Sequence, residues 1–184
     1  MSNAILENQA VWERATPISV EAYHLLYKEG LISERTELLE GVVVEKMPKD
    51  PIHAELVRRI FQFIKNKTDL KVLKEDPINT GFSEPEPDIA IVPLGDYSKS
   101  HPKEALVVIE VANTSLGIDR AKASIYAKAN IPEYIIINLQ NNILEYYYAP
   151  VDGKYSSAKI LQKDENFSSA SVPEISFKLD EFLV

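Results

Sequence analysis

Apolar positions along this 184-residue chain follow two spacings. In Ile89-Ala90-Ile91-Val92 and in Ala105-Leu106-Val107-Val108-Ile109-Glu110-Val111-Ala112 they stand side by side. Branched aliphatics without polar alternation suit strands covered on both faces, so each run predicts a buried strand. Ile135-Ile136-Ile137 predicts another within residues 133–139, and Leu70 to Leu73 a fourth. Elsewhere the spacing is helical. Leu56, Val57, Ile60, Phe63 and Ile64 make one apolar face over residues 52–65, and Ala121, Ile125, Tyr126 and Ala129 another over 119–129, stopped by Pro132. Ser19 is a candidate N-cap for a helix carrying Tyr23, Leu26 and Tyr27, with Gly30 at its end. Glu40-Gly41, Asn141-Asn142 and Asp152-Gly153 punctuate short strands as turns. Residues 78–82 follow neither period, and 93–103 read as a loop. The apolar C-terminal segment, Phe177 to Val184, is expected to dock on the body.

These elements predict a mixed α/β (α+β) domain with a central mixed β-sheet flanked by helices. Residues 1–16 read as a tail or lid and 17–184 as one domain, a size that can bury a sizeable core. The absence of cysteine excludes disulfides, thiolate metal sites and thiol catalysis. Three scattered histidines argue against a zinc hydrolase. No apolar run approaches the roughly 20 residues that span a bilayer. The first residues lack the basic start and apolar stretch of a signal peptide, so a cytoplasmic location is expected. The net charge of −8 weighs against a simple nucleic-acid binder, because non-specific affinity comes mainly from lysine and arginine displacing counterions. A chain of this charge that acted on nucleic acid would have to concentrate positive charge locally, recruit it with a metal, or use a partner.

Charge inside the apolar runs changes the picture. Asp88 opens the first run, Glu110 lies within the second, and the helix after it carries Asp119 and Lys122. A buried carboxylate costs several kcal/mol, roughly, unless a cation or hydrogen-bond donors replace its water. Two carboxylates on neighbouring strands with a lysine nearby are the parts of a divalent-metal site for phosphodiester chemistry. Each residue also has a plain structural reading. Asp88 after Pro87 suits a turn, Lys122 on a helix suits a solvated face, Glu37 has Arg35 nearby as a partner, and His53 suits a helix start. Tyr146-Tyr147-Tyr148 reads as strand filling rather than a base-stacking platform.

In order along the chain, Glu37-Leu38-Leu39-Glu40-Gly41, Pro48 with His53, Pro85-Glu86-Pro87-Asp88, and Ile109-Glu110-Val111 continuing through Asp119, Lys122, Tyr126 and Ile131-Pro132-Glu133-Tyr134 form a pattern. The pattern resembles the PD-(D/E)XK restriction-endonuclease-like superfamily. Within it, the chain is most similar to a large prokaryotic family long catalogued as a domain of unknown function. The wider superfamily places its lysine two residues after the second acid, where this chain has Ala112; the closer family carries it on the following helix, which points to Lys122, with Lys128 as the alternative. The resemblance implies a restriction-endonuclease-like core and a metal-dependent endonuclease hydrolysing DNA phosphodiesters. Asp88, Glu110 and the Val111 backbone carbonyl would bind Mg²⁺ (or Mn²⁺). Lys122 would orient or deprotonate water or stabilise developing charge. Glu37 would add a carboxylate, and His53 would contact a phosphate or a metal-bound water. A homodimer is expected, since cutting both strands in one encounter needs two sites. The competing expectation is a catalytically inactive binding or assembly module on the same fold.

Overall fold

The computed structural model describes residues 8–183; the first seven residues of the expected tail and Val184 lie outside the described residues. The remainder of the tail includes a four-residue helix, α1 (Gln9–Trp12). Helix α2 (Val20–Lys28) is capped by Ser19, whose Oγ accepts from the Ala22 amide. A hairpin follows, β1 (Thr36–Leu39) and β2 (Val42–Glu45), and then α3 (Pro51–Lys65), capped by Asp50. Next come β3 (Lys71–Lys74), β4 (Ile89–Val92), β5 (Val107–Ala112) and α4 (Leu116–Lys128). Strands β6 (Glu133–Asn138), β7 (Ile143–Val151), β8 (Lys154–Gln162), β9 (Asn166–Ser168) and β10 (Ser176–Lys178) follow, and then a single 3-10 turn (Leu179–Glu181).

Six strands form the central sheet in the order β3-β4-β5-β6-β7-β8. Only β5 and β6 run parallel, with α4 as their crossover; the other neighbours are antiparallel. The sheet is mixed, as expected, and its central strands are buried on both faces. Ile89, Ile91, Val107, Ile109 and Val111 face α3 through Leu56, Val57, Ile60 and Ile64. Ala90, Val92, Val108, Ala112 and Ile136 face the other way and pack with Tyr126 of α4. Every residue of β4, β5 and β6 is buried. Among the described residues, no helix is long and apolar enough to cross a membrane.

The alternation places the acids. Ile89 pairs with Ile109 in antiparallel register, so Asp88, one step before β4, stands opposite Glu110. Asp88 and Glu110 share parity with Ala90 and Val108, so both lie on the α4 side of the sheet.

The β1–β2 hairpin sits outside this sheet. Its turn is Glu40-Gly41, with φ of 50° and 78°, the left-handed pair that a two-residue hairpin turn needs. A side chain at Gly41 would meet the Pro17 Cβ at 2.2 Å, so both the φ and the contact require glycine there. An isolated antiparallel bridge between Leu38 and Glu84 ties the hairpin to the segment leading into Asp88.

One boundary differs from the sequence expectation, and two segments take forms that the sequence left open. Helix α4 starts at Leu116 rather than near 119. Residues 78–82 contribute the buried Ile78 without forming a strand. The C-terminal segment docks through a small β9–β10 pair, which brings Phe177 and Phe182 edge-on against Phe63 of α3.

Candidate active site

Lys122 lies at the centre of the buried charge. Helix α4 crosses the sheet above Asp88 and Glu110, and its first turns lower Asp119 and Lys122 onto them. The Lys122 ammonium donates to Glu110 Oε1 at 3.0 Å and pairs with Glu37 Oε2 at 3.0 Å; Asp119 Oδ1 lies at 4.0 Å. Lys122, Glu37, Glu110 and Asp119 are all buried. Glu37 reaches the cluster because the Leu38–Glu84 bridge docks its hairpin, and its Oε2 also accepts from the Glu86 amide at 3.2 Å.

Each oxygen of the two central acids has an identifiable neighbour. Glu110 Oε1 also accepts from the Tyr126 hydroxyl at 3.2 Å, and Oε2 from the Asp88 amide at 3.2 Å. Asp88 Oδ2 accepts from the Val111 amide at 2.8 Å and bonds His53 Nε2 at 3.0 Å, which requires the proton on Nε2. Asp88 Oδ1 faces the cleft, where the Lys49 ammonium approaches to 3.3 Å. The Ala112 carbonyl is taken by the Leu139 amide on the β6 side, so strand alternation turns the Val111 carbonyl toward the β4 edge and Asp88.

The electrostatics follow from three carboxylates around one buried ammonium, with Asp88 joined to Glu110 through its amide. Burial opposes the charge on Lys122, but Glu110, Glu37 and Asp119 outweigh it and raise its pKa well above the ordinary lysine range. These carboxylates favour the ammonium form of Lys122. The Glu110 carboxyl is pushed up to about 8, by burial first and then by Asp119, Asp88 and Glu37, with Lys122 pulling the other way. Burial also raises Asp119, against Lys122 and Ser115. Asp88 moves down: burial opposes the shift, but His53, Lys49 and the Val111 amide outweigh it.

These directions give a stability prediction. Between the ordinary 4.5 of a glutamate and about 8, the folded chain holds a proton on Glu110 that the unfolded chain has released. A group whose pKa rises on folding stabilises most at low pH and loses that contribution as pH climbs through the folded value. Asp119 acts in the same sense; Asp88 acts oppositely, but only in acid; Lys122 matters only at strongly alkaline pH. The Tm should therefore fall between pH 5.5 and pH 8.5, and Glu110→Gln should flatten that fall. A wild-type Tm that rises over this interval would contradict the protonation of Glu110.

Asp88, Glu110, Glu37, His53 and Lys122 thus line one cleft. There His53 Nε2 bonds Asp88 Oδ2. Lys128, the alternative lysine, is 46% exposed and pairs with Glu40 on the surface, so of the two it is Lys122 that lines the cleft. Sequence reasoning missed Lys49. It precedes the α3 cap Asp50, whose second oxygen accepts from Asn113 Nδ2 at 2.6 Å, pinning this loop to the cleft wall. The proline-flanked stretch gave no periodic signal for where Lys49 points.

Among the described residues, no group of three or more histidine, aspartate and glutamate side chains is arranged to hold a metal ion. The donor chemistry nevertheless fits a hard divalent cation. Magnesium takes oxygen ligands and needs only one or two carboxylates, keeping waters for the rest. The cleft-facing oxygen of Asp88 is already satisfied by a cation, the Lys49 ammonium.

Residues 20–180 match the model of the Uma2 family, described as "Putative restriction endonuclease". Among solved structures, a "putative nuclease belonging to DUF820" from Anabaena variabilis ATCC 29413 superposes with a TM-score of 0.74. It is 13% identical in sequence, over 90% of this chain and 97% of that one, a likeness that shows the shared fold. No curated protein matches the chain.

Proposed function

The chain belongs to the Uma2 family, of the restriction-endonuclease-like superfamily, and from that membership and the geometry of its cleft we propose that it is a metal-dependent endodeoxyribonuclease. The observation that carries this reading is the meeting of Asp88, Glu110, Glu37 and Lys122 in one buried cluster at the floor of an open cleft. A purely structural use of these charges would be costly, since apolar residues of similar volume usually stabilise a core at least as well as a buried ion pair.

Asp88, Glu110 and the Val111 carbonyl would hold Mg²⁺, or Mn²⁺ in its place. The ion, when bound, supplies an activated water and a polarised phosphate. The protein's own residues do the remaining work. His53 and the Val111 amide fix Asp88 Oδ2, which leaves Oδ1 as the ligand-ready oxygen. Tyr126 and the Asp88 amide orient Glu110. Lys122 holds a positive charge where negative charge develops on the phosphoryl oxygens, and Glu37 and Asp119 keep that ammonium in place. Cleavage of both duplex strands calls for a second site, so a two-fold homodimer is part of the proposal.

The test is nicking of supercoiled plasmid with Mg²⁺ or Mn²⁺, beside a sample treated with EDTA, with metal titration by calorimetry. Nicking that requires metal and disappears on chelation is expected. A chain that neither binds metal nor nicks plasmid or single-stranded DNA would overturn the reading. It would leave the inactive binding module that the acidic surface otherwise suits.

A further inference from the structure

Lys49 is absent from the mechanism above, yet it touches the one Asp88 oxygen that faces the cleft. Its ammonium lies 3.3 Å from Asp88 Oδ1 and 2.9 Å from Glu75 Oε1, with the side chain 35% exposed. Glu75 is held beside Asp88 by its own amide, which donates to the Asp88 carbonyl at 3.1 Å. The loop carrying Lys49 is anchored by the Asp50–Asn113 bond. Asp88 Oδ2 already accepts two protein bonds, so a metal and Lys49 require the same oxygen.

We propose that Lys49 is an exchangeable cation: it holds Asp88 Oδ1 until a divalent ion takes that oxygen, and then turns to bind the phosphate backbone of the substrate. The inference rests on the metal-site reading and adds a residue to it.

Three observations support this exchange. First, the Lys49 ammonium is shared between two carboxylates, Asp88 Oδ1 at 3.3 Å and Glu75 Oε1 at 2.9 Å. Neutralising Asp88 with a metal removes one of those two attractions. Second, Glu75 is a second anchor, shared with Lys74 at 3.5 Å, so Lys49 can leave Asp88 without leaving the cleft. Third, of the lysines lining the cleft, Lys122 is buried and Lys46 is 2.8 Å from Glu86 Oε2. Lys49 is the most exposed of the three, on a flexible stem whose point charge suits a phosphate. In a chain of net charge −8, an ammonium released by metal binding supplies positive charge where the anionic strand must approach.

The experiment is calorimetric titration of Mn²⁺ into wild type, Lys49→Gln, Lys49→Arg and Lys74→Gln, with nicking kinetics in parallel. Lys49→Gln should bind Mn²⁺ about tenfold more tightly, since a competing charge a few ångströms away is gone and its partly exposed position screens the effect. Its KM for DNA should rise about tenfold with kcat little changed, as expected for a lost phosphate contact. Lys49→Arg keeps the competing charge and should stay near wild type in Mn²⁺ affinity. Lys74→Gln removes a charge beside Glu75 without touching Asp88 and should change neither quantity. Equal or weaker Mn²⁺ binding by Lys49→Gln, with wild type binding normally, would overturn the role of Lys49 and leave the metal site standing. Absence of Mn²⁺ binding in all four proteins would overturn both.

Discussion

Asp88→Asn should lose measurable metal binding and reduce plasmid nicking by at least about a hundredfold, the scale seen when one preorganised charge-stabilising group is removed from an active site. The substitution preserves shape. The introduced carboxamide still has an oxygen to accept from the Val111 amide, so the strand end should keep its geometry. What disappears is the negative charge that faces the cleft through Oδ1 and answers His53 and Lys49. A neutral amide is a poor magnesium ligand beside a carboxylate. The same exchange at Asp96, an exposed residue that accepts from the Ser98 amide, removes an equal charge far from the cluster and should leave nicking intact. Nicking by Asp88→Asn within about threefold of wild type would refute the assignment, because the fall expected for a lost active-site charge is far larger.

The second large effect concerns stability. Lys122→Met should destabilise the fold by about 3–5 kcal/mol, the range seen when one member of a buried ion cluster is deleted and its partners stay buried. Methionine fills much of the lysine volume, so the loss is electrostatic in origin. Glu37, Glu110 and Asp119 would face one another with no cation between them. Their protonation then becomes the remaining relief, and the deficit against wild type should shrink as pH is lowered from 8 to 5. Adding Glu37→Gln to Lys122→Met should recover part of the loss, because the two sites share one interaction and their effects are not additive. Urea melts at two pH values measure all of this. A loss under about 1 kcal/mol, typical of an exposed lysine, would mean the cluster is solvated and the buried geometry is wrong.

The sequence made the acids legible for a physical reason. Asp88 opens, and Glu110 interrupts, a run whose other residues are aliphatic and, within β4 and β5, buried. An acid that such a strand tolerates has to find donors or a cation. Their common face needed the strand register, in which Ile89 pairs with Ile109 and Asp88 stands opposite Glu110. Glu37 and Arg35 were only a plausible pair by local spacing; the bridge between Leu38 and Glu84 that sends Glu37 to Lys122 spans too much chain for any local pattern to show. Lys122 needed the family resemblance, since a single lysine on a helix carries no sign of burial. The start of α4 was read late because Leu116-Gly117 are weak as an initiation signal and Ser115 spends its hydroxyl on Asp119 Oδ2, at 2.6 Å, rather than on a capping bond. The β9–β10 pair was invisible because strands of three residues are too short to show a period.

The isolated Leu38–Glu84 bridge has a consequence for how the chain is made. The hairpin bearing Glu37 leaves the ribosome early, the segment that receives it follows much later, and Lys122 emerges later still. Until α4 has been synthesised and laid across β4 and β5, Glu37 and Glu110 have no buried ammonium to join them, and burying them would be unfavourable. The nascent chain is thus expected to keep these acids wet and apart during translation. Closing the cleft should then wait on one late, long-range docking step, in which α4 completes the charge balance as it covers the sheet.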